Sequence, residues 1–111
     1  MNNTYRIKIE FAKQSWIKFI SHLDLLRLFE RALRRGSIPF KLSEGFSPHP
    51  LIFFKRALKL GNESESEYVT IVLSAPMPLD DFKQRFEAGL PRGIALKTIE
   101  EVPSTAKNHG L

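Results

Sequence analysis

The stretch SHLDLLRLFERALRRG, residues 21–36, is the strongest local signal in the chain and predicts an amphipathic helix. At about 100° per residue, its leucines and Phe29 gather on one stripe, whereas its arginines gather on the opposite side. Ser21 is a favourable N-cap, and Asp24 stands where a capping box has its acidic partner. Gly36 is placed to end the helix in a left-handed conformation. We therefore expect a helix over residues 21–35 with one packed face and one cationic face.

A period-two pattern on the N-terminal side of this helix predicts a strand. Residues 5–11 alternate apolar and charged side chains, so one face is buried and Arg6, Lys8 and Glu10 lie on the other. Residues 13–20, between the strand and the helix, are apolar enough to pack down. We expect them to include a short extended piece.

Three more strands and a second helix are predicted on the C-terminal side. Residues 51–58 and 68–73 favour strands, the second of them central, and residues 61–67 favour an acidic, solvated turn. A helix opens at Pro78, and residues 94–102 form the last strand. The order strand, helix, strand, strand, helix, strand predicts an α+β, ferredoxin-like split βαβ fold. It has an antiparallel four-stranded sheet with two helices on one face, and the other face stays free to bind.

Length and composition indicate a single domain over residues 1–111. We expect an ordered core over about residues 4–102 and a mobile tail over residues 103–111, which lack apolar periodicity. The absence of cysteine excludes disulfides, thiolate metal sites and cysteine nucleophiles. No membrane-length apolar run, targeting signal or glycine-rich phosphate motif occurs. We therefore expect a cytoplasmic protein with no membrane contact, no metal and no cofactor.

Positive charge is concentrated in the first half of the chain. The net charge of +5 divides into +8 over residues 1–60 and −3 over residues 61–111. Such a field attracts nucleic acid, although an acidic protein partner is also compatible with it. A solvated helix face would also carry arginines, but guanidinium groups suit bidentate phosphate contacts. The predicted anion-binding or RNA-binding residues are Arg27, Arg31, Arg34, Arg35, Lys55 and Arg56.

The predicted free face of the sheet lacks the aromatic residues that many RNA-binding sheets expose. Of the side chains opposite the buried set, only Tyr68 offers a ring for stacking. We therefore expect RNA binding to rely on phosphate contacts, the basic helix, or the loop before residue 51. Gly45 and two prolines give that loop a defined shape. Its motif residues are Ser43, Glu44, Gly45, Phe46, Pro48, His49 and Pro50.

Two histidines raise a catalytic alternative. Ser21, His22 and Asp24 are the residue types of a hydrolase triad, but neighbours entering one helix cannot place the base between the other two groups. Helix capping explains Ser21 and Asp24 better. If the loop folds over the start of the helix, His22 and His49 could meet as an acid/base pair or as part of a metal site. Their spacing does not require such a meeting.

Several motifs in a fixed order resemble the radical-SAM-linked domain of unknown function. They lie in FISHLDLLRLFERALRRGSIPFKLSEGFSPHPLIFF, residues 19–54, and in LKLGNESESEY, residues 58–68. The matching positions are Ser21, His22, Leu23, Asp24, Arg31, Arg34, Arg35, Ser43, Glu44, Gly45, Phe46, Pro48, His49, Pro50, Leu60, Gly61, Ser64, Glu67 and Tyr68. The resemblance covers about residues 5–102. Members of that family continue beyond the equivalent of Val102, so the resemblance implies that this chain is a short form.

In that family the domain is fused to, or encoded beside, cobalamin-binding-type radical SAM proteins. The resemblance therefore implies a radical SAM protein as partner, here on a separate chain, and a link to RNA or ribosome-related processes. Our leading hypothesis is a non-catalytic accessory module that binds a polyanion, RNA, through the basic helix face. Two alternatives stay open: a metal-independent, ribonuclease-like enzyme that uses His22 and His49, and a pure protein-interaction domain.

Overall fold

The computed structural model describes residues 5–55 and 64–102. In chain order the elements are β1 (Tyr5–Lys13), a 3₁₀ helix (Ser15–Phe19), α1 (His22–Arg35), β2 (Ile52–Phe54), β3 (Ser64–Leu73), α2 (Leu79–Ala88) and β4 (Ile94–Val102). Several sequence predictions fall outside the described residues, either wholly or in part. They concern Arg56, the strand beyond residue 55, residues 61–63 of the acidic turn, and the tail over residues 103–111.

The four strands form one antiparallel sheet in the order β2-β3-β1-β4. This order confirms the predicted α+β, ferredoxin-like arrangement, with β3 in a central position. The register of the sheet brings apolar residues of neighbouring strands together, since Ile9 of β1 lies opposite Val69 of β3 and Ile99 of β4. Because directly opposed residues share a face, these side chains form one apolar surface that the helices cover.

Phe29 of α1 is the centre of the core and is fully buried. Its ring centroid lies 5.4 Å from that of Phe11 in β1, 5.4 Å from that of Phe54 in β2, and 5.5 Å from that of Phe86 in α2. Each aromatic pair of this kind contributes about 0.5–1.5 kcal/mol beyond the burial of its area. Phe29 therefore joins the sheet to both helices.

The predicted start of α1 is confirmed, but the predicted conformation of Gly36 is wrong. Ser21 caps the helix by accepting a 3.1 Å hydrogen bond from the backbone N–H of Asp24. Gly36 has φ −81°, and the following Ser37 takes the left-handed conformation with φ 52°. A Cβ at Gly36 would lie 3.0 Å from the backbone oxygen of Arg85. Close approach of α2, rather than a left-handed turn, therefore explains a glycine at this position.

Two further predictions are corrected by the structure. Residues 15–19 form a 3₁₀ helix instead of an extended piece, and its apolar Ile17 is buried. Residues 64–67 of the predicted acidic turn belong to β3 instead, and Glu67 is only 4% exposed. Glu67 lies opposite Phe11 in the register and thus on the core face of the sheet.

The face of the sheet opposite the helices is only partly open. Thr70 and Val72 belong to this face, yet both are buried. Thr70 lies between Lys8 and Phe53 of the two neighbouring strands, and Val72 lies opposite Arg6. Long side chains on both flanking strands cover a central strand with their apolar stems. The face predicted to stay free is therefore partly covered by its own side chains.

None of the helices within the described residues is long and apolar enough to cross a membrane.

Candidate nucleic-acid interface

The arginines of α1 lie on its exposed side, as its amphipathic pattern predicts. Arg27, Arg31, Arg34 and Arg35 are all exposed, whereas Leu25, Phe29, Ala32 and Leu33 on the other side are buried. Arg27, Arg31 and Arg34 follow a spacing of four and three residues, which places them along one ridge of a helix. We call the four arginines the arginine face.

The four guanidinium groups differ in their local partners. Arg27 donates from Nη1 to Oδ1 of Asp24 at 3.4 Å, and both side chains remain about 60% exposed, at 63% and 59%. Arg34 places its guanidinium 5.1 Å from the ring centroid of Phe40. Within residues 5–55 and 64–102, no carboxylate lies at ion-pair distance from Arg31 or Arg35. These two cations keep their full capacity to bind an anion.

A cleft continues the arginine face between the C-terminal ends of the two helices. It has a volume of about 590 Å³ and is lined by Arg35, Gly36, Ser37, Arg85, Ala88 and Gly89. Gly89 allows the two helices to approach this closely because it has no side chain. A Cβ at that position would lie only 2.9 Å from Cα of Ala32 in α1. Arg85 forms an ion pair with Asp81, because Nη2 of Arg85 lies 3.6 Å from Oδ2 of Asp81. The cleft therefore adds one partly neutralised cation to the face.

Lys55, the other described member of the predicted cationic set, belongs to a different surface. It follows β2, its backbone N–H donates to the carbonyl of Tyr68, and its Nζ lies 5.2 Å from the centroid of the Tyr68 ring. Tyr68 lies on the side of the sheet away from the helices, since the neighbouring Glu67 and Val69 face the core. Lys55 therefore does not widen the arginine face.

Ser43 closes the motif loop between α1 and β2. The N–H of Ser43 donates to the carbonyl of His49 at 2.8 Å, and the N–H of His49 donates to Oγ of Ser43 at 3.1 Å. An isolated bridge between Leu42 and Pro50 extends this closure. Gly45 has φ 123°, and Phe46 projects fully into solvent together with exposed Glu44, Ser47 and Pro48. The motif residues thus build one exposed loop.

The two histidines of the catalytic alternative lie in separate places. His22 packs edge-on against Phe54 with ring centroids 4.9 Å apart, and its Nδ1 is buried without a hydrogen-bond partner among the described residues. Nδ1 of His49 lies 3.1 Å from the carbonyl oxygen of Pro50. Among the described residues, no hydrogen bond or ring contact joins the two imidazoles.

Two buried side chains of opposite charge near the end of β1 were not predicted from the sequence. Lys13 is 2% exposed and Glu67 is 4% exposed. Burial lowers the pKa of the Lys13 ammonium below its usual value, and the charge of Glu67 partly opposes that decrease. The attraction between the two opposite charges explains why both groups can be buried, because an isolated charge in an apolar interior costs several kcal/mol.

The open sheet face carries a second group of polar and aromatic side chains that sequence reasoning found only in part. Tyr68 is half-buried, and Phe53 of β2 is 45% exposed. Lys8, Glu10, Tyr68, Thr98 and Glu100 line a cavity of about 220 Å³ beside them. The strand alternation correctly placed Lys8, Glu10 and Tyr68 on this face. The same alternation across residues 52–54 was the signal that could have added Phe53.

No group of three His, Asp or Glu side chains within the described ranges is arranged to hold a metal ion.

Comparison with protein families places the whole of this architecture in one domain type. The model of the family described as an uncharacterized protein conserved in bacteria (DUF2344) matches residues 6–110. The chain belongs to this family. No curated protein matches it. The arginine face, the motif loop and the open sheet face all lie within the part of the chain that the DUF2344 family covers.

Proposed function

We propose that the chain is a non-catalytic binding module that holds RNA on the arginine face of α1. In this proposal it works in the cytoplasm as an accessory to a radical SAM protein on a separate chain. The observation that carries the RNA part is the exposure of Arg31 and Arg35 without a carboxylate partner among the described residues. The radical SAM part is supported by the motif resemblance, which runs through α1, the loop and β3.

The state of the arginines favours phosphate over a purely structural role. An arginine that is already ion-paired must break that pair before it binds phosphate, whereas Arg31 and Arg35 have no such pair to break. The arginine face extends over nine residues, about 12 Å along the helix axis from Arg27 to Arg35, which is long enough to contact several phosphates. Guanidinium groups also make bidentate contacts with phosphate oxygens.

Removal of Arg31 and Arg35 is expected to weaken RNA binding about tenfold at low salt, because two exposed ion pairs with phosphate contribute up to about 1 kcal/mol each and about 1.4 kcal/mol corresponds to a factor of ten. The double variant Arg31→Ala/Arg35→Ala is compared with Lys83→Ala/Arg92→Ala. This control removes the same charge from exposed positions outside the arginine face. Fluorescence anisotropy with a labelled single-stranded RNA at several salt concentrations gives both the affinity and its salt dependence. The slope of log K against log salt should become shallower by about 0.7 for each phosphate that the variant no longer neutralises.

Equal losses of affinity in the two double variants would contradict a defined site and leave only the net charge of the chain as the cause. Binding that does not change with salt would contradict phosphate recognition altogether. Capture of a radical SAM protein without any RNA affinity would support the alternative of a protein-interaction domain. Since the described residues show no contact between His22 and His49, labelled RNA is expected to stay intact during these incubations.

A further inference from the structure

Two aromatic residues occupy diagonal positions on the open sheet face. Phe53 is directly opposite Thr70, and Tyr68 precedes Thr70 by two residues on the same face. Such diagonal neighbours have Cα atoms about 7–8 Å apart, within reach of aromatic side chains. β-Sheets that bind single-stranded RNA use exposed rings of this kind to stack unpaired bases. The strand pattern of the sequence identifies only Tyr68, and the pairing of β2 with β3 adds Phe53.

Two lysines accompany the Tyr68 ring. Nζ of Lys8 lies 5.1 Å from the ring centroid, and Nζ of Lys55 lies 5.2 Å from it. An exposed cation–π contact contributes about 0.5–1 kcal/mol, whereas stacking of a base on an aromatic side chain contributes about 1–3 kcal/mol. A base can therefore take the place of a lysine on the ring, and the released ammonium becomes available to the adjacent phosphate.

Glu10 supplies the group that can read the edge of such a base. Ser66 donates to Oε2 of Glu10 at 2.7 Å, and Thr98 donates to Oε1 at 3.3 Å. The hydrogen bond from Ser66 lowers the pKa of Glu10, and that from Thr98 acts in the same direction, so the carboxylate is charged at neutral pH. The side chain of Tyr68 also hydrogen-bonds this carboxylate. A carboxylate has about four acceptor sites, so these three bonds leave one available. Because a charged carboxylate only accepts, it favours a base with an amino group.

The charges of the open sheet face are nearly balanced, in contrast to those of the arginine face. Arg6, Lys8 and Lys55 are accompanied there by Glu10 and Glu100. Nε of Arg6 is buried and has no hydrogen-bond partner among the described residues. A mixed surface of this kind suits a base and its sugar better than a row of phosphates.

We propose that the open sheet face binds an unpaired RNA base that carries an exocyclic amino group, cytosine or adenine, stacked on Tyr68 and hydrogen-bonded to Glu10. The inference rests on the proposed function for its ligand class, RNA, but it does not depend on the arginine face. It gives the module a means of discriminating between RNA sequences, because phosphate contacts alone carry no sequence information.

Titration of the full chain with labelled single-stranded oligocytidylate and oligouridylate of ten nucleotides tests the proposal. Wild type is expected to bind oligocytidylate more tightly than oligouridylate. Tyr68→Ala is expected to weaken binding of oligocytidylate about 5-fold to 150-fold, the range for one stacked base, whereas Tyr68→Phe, which keeps the ring and loses only the side-chain hydrogen bond to Glu10, should retain most of the affinity. Tyr68→Leu keeps an apolar side chain without a π face, so it serves if Tyr68→Ala is unstable. Glu10→Gln should reduce the preference for oligocytidylate, because the amide also donates a hydrogen bond to uracil.

The variants separate this proposal from the previous one. If Arg31→Ala/Arg35→Ala weakens binding while Tyr68→Ala and Tyr68→Leu bind like wild type, the base site is overturned and the arginine face stands. If the tyrosine variants weaken binding while the arginine variant does not, the base site stands and the arginine face fails. Equal affinity of wild type for the two oligonucleotides overturns the role of Glu10, and no binding of either overturns both proposals.

Discussion

Replacement of Glu67 with glutamine is expected to lower the free energy of unfolding by about 3–5 kcal/mol, the cost of removing one partner from a buried ion pair. The variant leaves the Lys13 ammonium, 2% exposed, without the opposite charge that Glu67 supplies. In the variant, Lys13 can also lose its proton, and the cost of that deprotonation sets an upper limit on the decrease in stability. At pH 7 the deprotonation costs about 5 kcal/mol, since each pH unit below the usual lysine pKa of 10.5 costs about 1.4 kcal/mol.

The pH dependence of this decrease in stability identifies its cause. Because burial lowers the pKa of Lys13 in the folded state, the unfolded chain binds more protons between that pKa and 10.5, and stability rises with pH in this interval. Without Glu67 the folded pKa falls further, so the interval widens towards neutral pH. Glu67→Gln should therefore lie closer to wild type in stability at about pH 9.5 than at pH 7.

Urea denaturation at the two pH values measures both effects. Glu87→Gln, at an exposed position of α2, is the control and should stay within about 0.5 kcal/mol of wild type. The double variant Lys13→Met/Glu67→Leu removes both charges and should recover most of the stability, because apolar replacements of buried pairs are often neutral or stabilising. A double variant as unstable as Glu67→Gln would contradict an electrostatic origin.

The elements that depend on local sequence were predictable. α1 follows from the repeat of its apolar residues and from the Ser21 cap, which needs only the backbone N–H of Asp24 three residues further on. The exposure of Arg31 and Arg35 follows from the same repeat. β4 occupies residues 94–102, as predicted from its sequence. In each case the deciding contacts lie within a few residues of each other.

The unpredicted features depend on residues far apart in the chain. In the sequence, Glu67 looks like the last of several acidic residues in a solvated turn. Only the register of β3 against β1 shows that it lies on the core face near Lys13. Phe53 becomes a neighbour of Tyr68 only when β2 pairs with β3. Gly36 has the sequence signature of a left-handed cap, and only the approach of α2 gives the true reason for it. Register and helix packing cannot be derived from periodicity alone.

Replacement of Gly93 with alanine is expected to lower the free energy of unfolding by about 2–6 kcal/mol, because backbone strain and overpacking each cost about 1–3 kcal/mol. Gly93 has φ 102°, a conformation that side chains disfavour. A Cβ there would lie 2.6 Å from both the backbone oxygen of Gln14 and Cγ1 of the buried Ile17. The carbonyl of Gly93 also accepts a 2.7 Å hydrogen bond from the N–H of Gln14, so the segment cannot move away without breaking that bond.

Gly45→Ala is the matched control, because it separates the strain from the clash. Gly45 has φ 123°, but no atom lies within 4 Å of the position that its Cβ would occupy. Its replacement should therefore cost only the strain of the backbone, and urea denaturation of the two variants gives the cost of the clash by difference. Equal decreases in stability would mean that Gln14 and Ile17 give way to the new methyl group. A larger decrease at Gly93 would mean that the contact between the segment before β4 and the 3₁₀ helix is rigid.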